Sequence, residues 1–294
     1  MAGSFDTLRS LVNGVGAVSP RLGGEVALRL FFETRPRMPV RSDDAETHAA
    51  AERGTVNVRG LELATYGWGS GEDTVLLVHG WRGRASQFAR LVRGLVAAGF
   101  RVVAFDAPGH GASPGRHTDI RDWLAAIDGL QRTHGRFHTV VGHSFGALAT
   151  LTAARSGVDV GSVATLAGAA SPMPFLDEFS HGMGLSPATD ARFRTAFRRR
   201  MGVDKTSLIA RYDAVADPLP PGIELLALHD DGDRQLSPTE STRLVAAHPG
   251  RSRLIRTQGF GHNRLLSADL TVGAVTALAT GGLAAVDDVA NAAA

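Results

Sequence analysis

The run Phe137-His138-Thr139-Val140-Val141-Gly142-His143-Ser144-Phe145-Gly146-Ala147-Leu148-Ala149-Thr150-Leu151 decides how this chain is read. Its first five residues read as a buried strand, and the residues after Gly146 read as a helix. A serine at the turn between them is forced into a strained backbone with its hydroxyl exposed at the sheet edge. Gly142 and Gly146 stand two residues either side, where a Cβ would collide with the neighbouring strand and helix. The helix that follows points its partially positive amide end toward the serine. Ser144 is the expected nucleophile.

Outward from this turn, strands and helices alternate from residue 54 onward. Thr55–Val58 and Leu61–Tyr66 flank Arg59-Gly60 and predict an antiparallel hairpin. Thr74–Val78, Arg101–Phe105, Ser162–Ala167, Ile223–Leu228 and Ser252–Thr257 are further expected strands. Helices are expected over Arg84–Ala98, Thr118–Thr133 and Asp269–Ala279. Another begins at Ser237-Pro238-Thr239-Glu240, with an N-cap serine, a first-turn proline and a glutamate three residues on. Continuous rather than alternating apolar strands predict an α/β fold: a mostly parallel sheet with helices on both faces.

Two stretches stand outside the alternation. Residues 1–50 carry short amphipathic segments (Phe5, Leu8, Leu11, Val12, Val15; then Ala27, Leu28, Leu30, Phe31, Phe32), broken by Gly14, Gly16, Pro20 and Gly23-Gly24. They end at Arg35-Pro36-Arg37-Met38-Pro39, which cannot be helical. The reading is an N-terminal helical extension over 1–50 and a main domain over 51–294. The second stretch, about 169–222, is expected as a small helical lid. It contains a helix capped by Ser186-Pro187, stopped by Gly202, with Phe193, Phe197 and Met201 on one face.

Composition narrows the chemistry. The 294 residues include no cysteine, which excludes disulfides, thiolate metal sites and a cysteine nucleophile. Lys205 is the only lysine and lies in a polar stretch, which argues against Schiff-base chemistry. A formal charge of +2 does not suggest nucleic acid. No apolar stretch reads as long enough to cross a bilayer, and the N-terminus does not read as a signal peptide, so a cytoplasmic protein without stable membrane insertion is expected. No cofactor or metal is expected; His134 and His138 share a four-residue spacing but not one helix.

A serine hydroxyl needs a base at neutral pH, and imidazole is the natural one. His262, in Gln258-Gly259-Phe260-Gly261-His262, follows the last strand and is the expected base. His48 reads as lying outside the core, and His143 as turned into packing beside the serine. The carboxylate that orients the base should follow the preceding strand, where Asp230, Asp231 and Asp233 offer three choices. The order serine, acid, histidine suits this sheet topology.

These residues carry a resemblance to the α/β-hydrolase superfamily from about residue 54 onward. His79-Gly80-Trp81 resembles its oxyanion loop. Asp106-Ala107-Pro108-Gly109-His110-Gly111-Ala112-Ser113 resembles its D-x-x-G-x-G-x-S loop, and Gly142–Gly146 with Gly261-His262 complete the set. The nearest pattern is the bacterial, esterase-like serine-hydrolase branch with an N-terminal helical extension. The resemblance implies a triad of Ser144, His262 and Asp233, with the amides of Trp81 and Phe145 as oxyanion hole. The usual acid motif is H-G-x-x-D; here Asp230 replaces the glycine, and Asp231 is the next choice for the acid. Trp81, His143 and Arg82 are the candidate substrate contacts, Arg84 is a further candidate for an anionic group, and Asp106 is expected to be structural. The implied substrate is a small ester-like molecule, a carboxylic ester or thioester. C–C bond hydrolysis and cofactor-free perhydrolysis also keep a serine, whereas a dehalogenase needs aspartate at position 144. A non-catalytic binding protein on this fold is the alternative of a different class.

Overall fold

In the computed structural model, which describes residues 2–292, most expected elements form, and the side chain of Phe5 lies outside the described part. The chain runs through α1 (Ala2–Val18), α2 (Pro20–Phe31), α3 (Ser42–Ala49), β1 (Glu52–Val58), β2 (Leu61–Trp68) and β3 (Thr74–Val78). A 3-10 turn at Ala85–Phe88 leads into α4 (Ala89–Ala97), then β4 (Arg101–Phe105), α5 (Ile120–His134), β5 (Phe137–His143), α6 (Phe145–Arg155) and β6 (Val160–Leu166). There follow α7 (Met173–Met183), α8 (Pro187–Met201), α9 (Lys205–Tyr212), β7 (Glu224–Asp230) and α10 (Thr239–Ala246). The chain continues through β8 (Ser252–Thr257), α11 (Gly261–Arg264), a short 3-10 turn and α12 (Asp269–Ala292).

The eight strands form one sheet in the order β1-β2-β4-β3-β5-β6-β7-β8. β2 runs antiparallel to both β1 and β4, and every pairing from β4 to β8 is parallel. Parallel neighbours need crossovers that place helices on the faces, so the central strands are covered on both sides. All five residues of β3 are buried accordingly. The chain turns one way from β3 to β4 and the other way to β5, which pairs with β3 on its far side. A crevice opens at such a switch point, outside the carboxyl ends of the strands. The loop after β3 and Ser144 after β5 both fall there, and the loops after β7 and β8 leave from the same edge.

Two compact units emerge. The segment ending at Glu33 joins Ser171–Asp213 in a helical unit, while Thr34–Ala170 and the chain from Ala214 onward form the sheet unit. This partition lies at Glu33 rather than near residue 50, because α3 belongs with the sheet. The Trp68 indole donates to the Thr47 carbonyl at 2.7 Å, and Arg93 donates to the Thr47 hydroxyl at 2.7 Å.

In the helical unit, α1 runs through Gly14 and Gly16, and α2 through Gly23-Gly24, where breaks were expected. The reason is close helix packing. A Cβ on Gly24 would meet Phe193 N at 2.7 Å and the Arg192 carbonyl carbon at 2.9 Å, both backbone atoms of α8. Phe31, Phe179, Phe193 and Phe197 close the unit with edge-on ring contacts. α8 has the expected limits, with Ser186 as N-cap and Gly202 in the left-handed region as C-cap. Gly24→Ala should destabilise the protein by about 1–3 kcal/mol through overpacking. Gly14→Ala, with nothing within 4 Å, should be neutral or stabilising. Chemical denaturation of both variants checks the contrast.

Three further expectations change in the sheet unit. The helix expected to follow an N-cap at Ser237 starts one residue later, with Pro238 as N-cap and Ser237 Oγ accepting from Thr239 N at 3.3 Å. α12 continues beyond Ala279, interrupted by non-helical Gly281 and Gly282, because Leu283 N is capped by Glu224 Oε2 at 3.1 Å. By length and apolarity alone α12 is long enough to cross a membrane, against the reading that no stretch is. Its apolar side is buried against the sheet, through Ala274, Val275, Leu278, Leu283 and Val286.

Candidate active site

β5 ends at His143, and the next residue breaks the backbone sharply. Ser144 takes φ 53° and ψ −117°, a left-handed region that costs an L-residue on the order of 1–3 kcal/mol. Neighbouring structure holds it there: Ser144 N donates to the Leu166 carbonyl at 2.9 Å, and Ala147 N donates to the Ser144 carbonyl at 3.0 Å. Gly146 is obligatory at this turn, since a Cβ would lie 2.1 Å from the Val78 carbonyl oxygen. Ser144 stands at the N-cap of α6, half-buried, while Gly142 and His143 before it are buried.

The loop after β3 passes alongside the serine, with the Cβ position on Gly80 only 2.9 Å from Ser144 Cβ. His79 fixes that loop from beneath. Its Nε2 accepts from Ala107 N at 3.0 Å, which leaves the proton on Nδ1 for the Gly80 carbonyl at 2.7 Å. The Trp123 indole donates to the His79 carbonyl at 3.1 Å. Trp81 stacks on Trp123 with ring centres 5.7 Å apart and meets Phe145 edge-on at 5.4 Å. The two candidate oxyanion residues are thus in mutual ring contact beside the serine.

Arg82 has an exposed side chain and φ 56°, and its amide donates to His110 Nε2 at 2.9 Å. Burial, reinforced by the neighbouring His79, pushes the His110 imidazole down to about 3, so it stays a neutral acceptor. Arg84 is neither solvated nor open to a substrate. It is buried, donates to the Met38 carbonyl at 3.2 Å and lies 3.8 Å from the Asp106 carboxylate. Asp106 is structural, as expected. It accepts from Ala85 N, Ala112 N and the Tyr66 hydroxyl at 2.8, 2.8 and 2.9 Å. Burial and the Asp106 charge push the Tyr66 phenol up to about 12. His48, read as outside the core, is buried here against Tyr66, with ring centres 4.9 Å apart.

Beyond β7 and β8 the candidate acid Asp233 and the candidate base His262 meet. Asp233 Oδ2 accepts from His262 Nδ1 at 2.7 Å, with the Asp233 side chain fully buried and that of His262 nearly so. Asp233 Oδ1 accepts from Gln235 N and Leu236 N at 2.7 and 3.1 Å. Burial alone would raise the Asp233 pKa, but hydrogen bonds from His229 and His262 together hold it well below the usual carboxylate range. Asp231 points elsewhere, to Arg256 Nε on β8 at 2.6 Å. Of the three aspartates, Asp233 alone bonds His262 in the hydrogen bonds of the described residues.

Asp230 explains the glycine-to-aspartate departure in the acid motif. It is fully buried and accepts from Gly232 N at 2.9 Å, the Thr257 hydroxyl at 2.8 Å and Phe260 N at 3.0 Å. The acid loop is thereby tied to the loop that carries His262. His143 does the same from the other side, its Nε2 lying 3.0 Å from the His262 carbonyl. Burial pushes its imidazole down to about 3, with the neighbouring His262 adding to the shift, so His143 is neutral at ordinary pH. His143 is 3% exposed, which places it under the histidine loop rather than on an open substrate surface. His143 packs beside the serine as read, whereas the buried partners of Asp230 and His229 are not read from the sequence. The available signal was a polar residue at the buried end of a continuous apolar strand, which must have partners.

The sequence model described as the alpha/beta hydrolase family matches residues 75–289. A serine hydrolase-like protein of Dictyostelium discoideum is 30% identical over 103 residues, 32% of this chain and 29% of that protein. The match therefore spans less than a third of that relative's length. Among solved structures, the esterase Pf2001 of Pyrococcus furiosus superposes with TM-score 0.58 at 16% identity, covering 79% of this chain and 91% of that one. The thioesterase domain from the curacin biosynthetic pathway gives TM-score 0.53 at 20% identity, over 78% of this chain and 99% of the other. The esterase RhEst1 from Rhodococcus sp. ECU1013 gives 0.56 at 16%, over 79% and 99%. At these identities the superpositions speak for the fold.

Proposed function

The chain belongs to the alpha/beta hydrolase family, and on that premise we propose that it is a serine hydrolase cleaving carboxylic esters or thioesters. One observation carries the reading. A strained, half-buried serine at the head of α6 sits on the same sheet edge as a histidine whose Nδ1 is bonded to a buried carboxylate at 2.7 Å.

The mechanism follows from the proton inventory. Asp233 can only accept, so His262 carries its proton on Nδ1 and presents the Nε2 lone pair as the base. Ser144 Oγ attacks the acyl carbon while Nε2 takes its proton. The carbonyl oxygen gains the negative charge, and the Trp81 and Phe145 amides, with the positive end of α6, stabilise it. The imidazolium returns the proton to the leaving alkoxide or thiolate, and an acyl-serine remains. Water, deprotonated by the same nitrogen, attacks the acyl carbon and releases the acid with Ser144 restored. Trp81 forms an apolar wall next to the reacting carbon.

The test is hydrolysis of p-nitrophenyl esters from acetate to laurate, with an acyl-thioester series beside it. Turnover on one series is expected, and its chain-length optimum sizes the acyl pocket. A folded protein inert toward every ester and thioester would contradict the reading. Serine-dependent C–C hydrolysis or perhydrolysis would then be the next substrates to assay.

A further inference from the structure

His229 is the penultimate residue of β7 and is completely buried. Its Nε2 lies 3.1 Å from Asp233 Oδ2 and 3.2 Å from the Leu236 carbonyl oxygen, and both of these atoms only accept. The ring proton therefore sits on Nε2. Nδ1 lies 2.7 Å from Ser241 Oγ on α10, whose hydroxyl then donates to it. Asp233 Oδ2 thus receives two imidazole N–H groups, from His229 and His262, while Oδ1 receives two backbone amides. A triad acid needs one imidazole; the second has no part in the acyl-transfer steps.

We propose that His229 is a positioning residue for the acid of the triad. Its Nε2–H holds Asp233 Oδ2 from a second direction, and the shared charge moderates the basicity that Asp233 lends to His262. The inference rests on the triad reading above. A carboxylate hydrogen-bonded by four N–H groups is well stabilised as an anion, and each donor removed leaves more of its charge for the rest. Loss of the His229 donor would concentrate that charge on His262, favour its protonated form and let the carboxylate turn.

The surroundings leave this effect readable. His143 packs against His262 with ring centres 4.9 Å apart but stays neutral, as burial drives its protonation down to about 3. Asp230 is occupied by Gly232 N, Thr257 and Phe260 N, and Asp231 pairs with Arg256 of β8. On α10, Glu240 pairs with Arg243, and Ser241 meets the His229 ring.

The experiment is NMR titration of the His262 imidazole in the full chain labelled with 15N-histidine. It compares wild type, His229→Leu, His229→Gln and Ser241→Ala. In His229→Leu the His262 midpoint should rise by roughly half to one pH unit. His229→Gln, which keeps an N–H donor, should titrate near wild type. With an active substrate in hand, kcat of the leucine variant should fall about tenfold or more with KM little changed, and the acid limb of its pH profile should move to higher pH. An unmoved midpoint in folded His229→Leu overturns the proposal. Should that variant not fold, Ser241→Ala reads the same linkage. A smaller upward shift supports it, and none overturns it. The titration needs no turnover, so failure of the hydrolase reading and failure of this inference register separately.

Discussion

Ser144→Ala should eliminate turnover, with kcat falling on the order of a hundred-thousandfold to a millionfold on any substrate the wild type cleaves. The expectation follows from what the position does. The backbone at residue 144 is held at φ 53°, ψ −117° by neighbours on β6 and α6, so the turn persists with alanine while the reacting oxygen is gone. The oxyanion amides and the imidazole remain, which leaves only the residual acceleration that these groups give to direct attack by water. Steady-state kinetics checks this, together with a thermal melt showing that the variant stays folded. A loss of less than tenfold would mean that Ser144 is not the nucleophile.

Asp233→Asn should cost roughly ten-thousandfold in kcat, while Asp231→Asn stays within a few-fold of wild type. Asparagine keeps the shape of aspartate but turns an N–H toward His262, favouring the tautomer whose Nε2 is protonated and unable to act as base. The same substitution sets an N–H against the Nε2–H of His229, which sits 3.1 Å from Asp233 Oδ2. Asp231 bonds Arg256 on β8 and makes no hydrogen bond to His262, so its loss removes a partly exposed ion pair of small worth. Parallel kinetics on the two variants decides the assignment. A dead Asp231→Asn beside an active Asp233→Asn would reverse it.

What was legible in the sequence had local causes. The serine turn, its two glycines, the apolar strands and the capped helix α8 are each specified by residues within a few positions of one another. What was not legible depends on partners distant in the chain. Glycine reads as a helix breaker in isolation, yet Gly24 is where α2 lets the backbone of α8 approach, and α8 lies far along the sequence. Burial of His48 and Arg84 follows from a cluster around Asp106 that no short window contains. The acid loop is intermediate. The resemblance points to Asp233, but the reason for Asp230 in place of glycine appears only when the end of β8 and the loop after it bring Thr257 and Phe260 to it.

The central claim is that Ser144 is a nucleophile activated by His262. The most direct measurement is reaction of the folded protein with a fluorophosphonate, followed by mass spectrometry of the peptide carrying the adduct. A single phosphonyl adduct on Ser144, absent in Ser144→Ala and strongly slowed in His262→Ala, is the predicted result. No adduct on folded wild-type protein, or an adduct that forms equally fast without His262, would contradict the account.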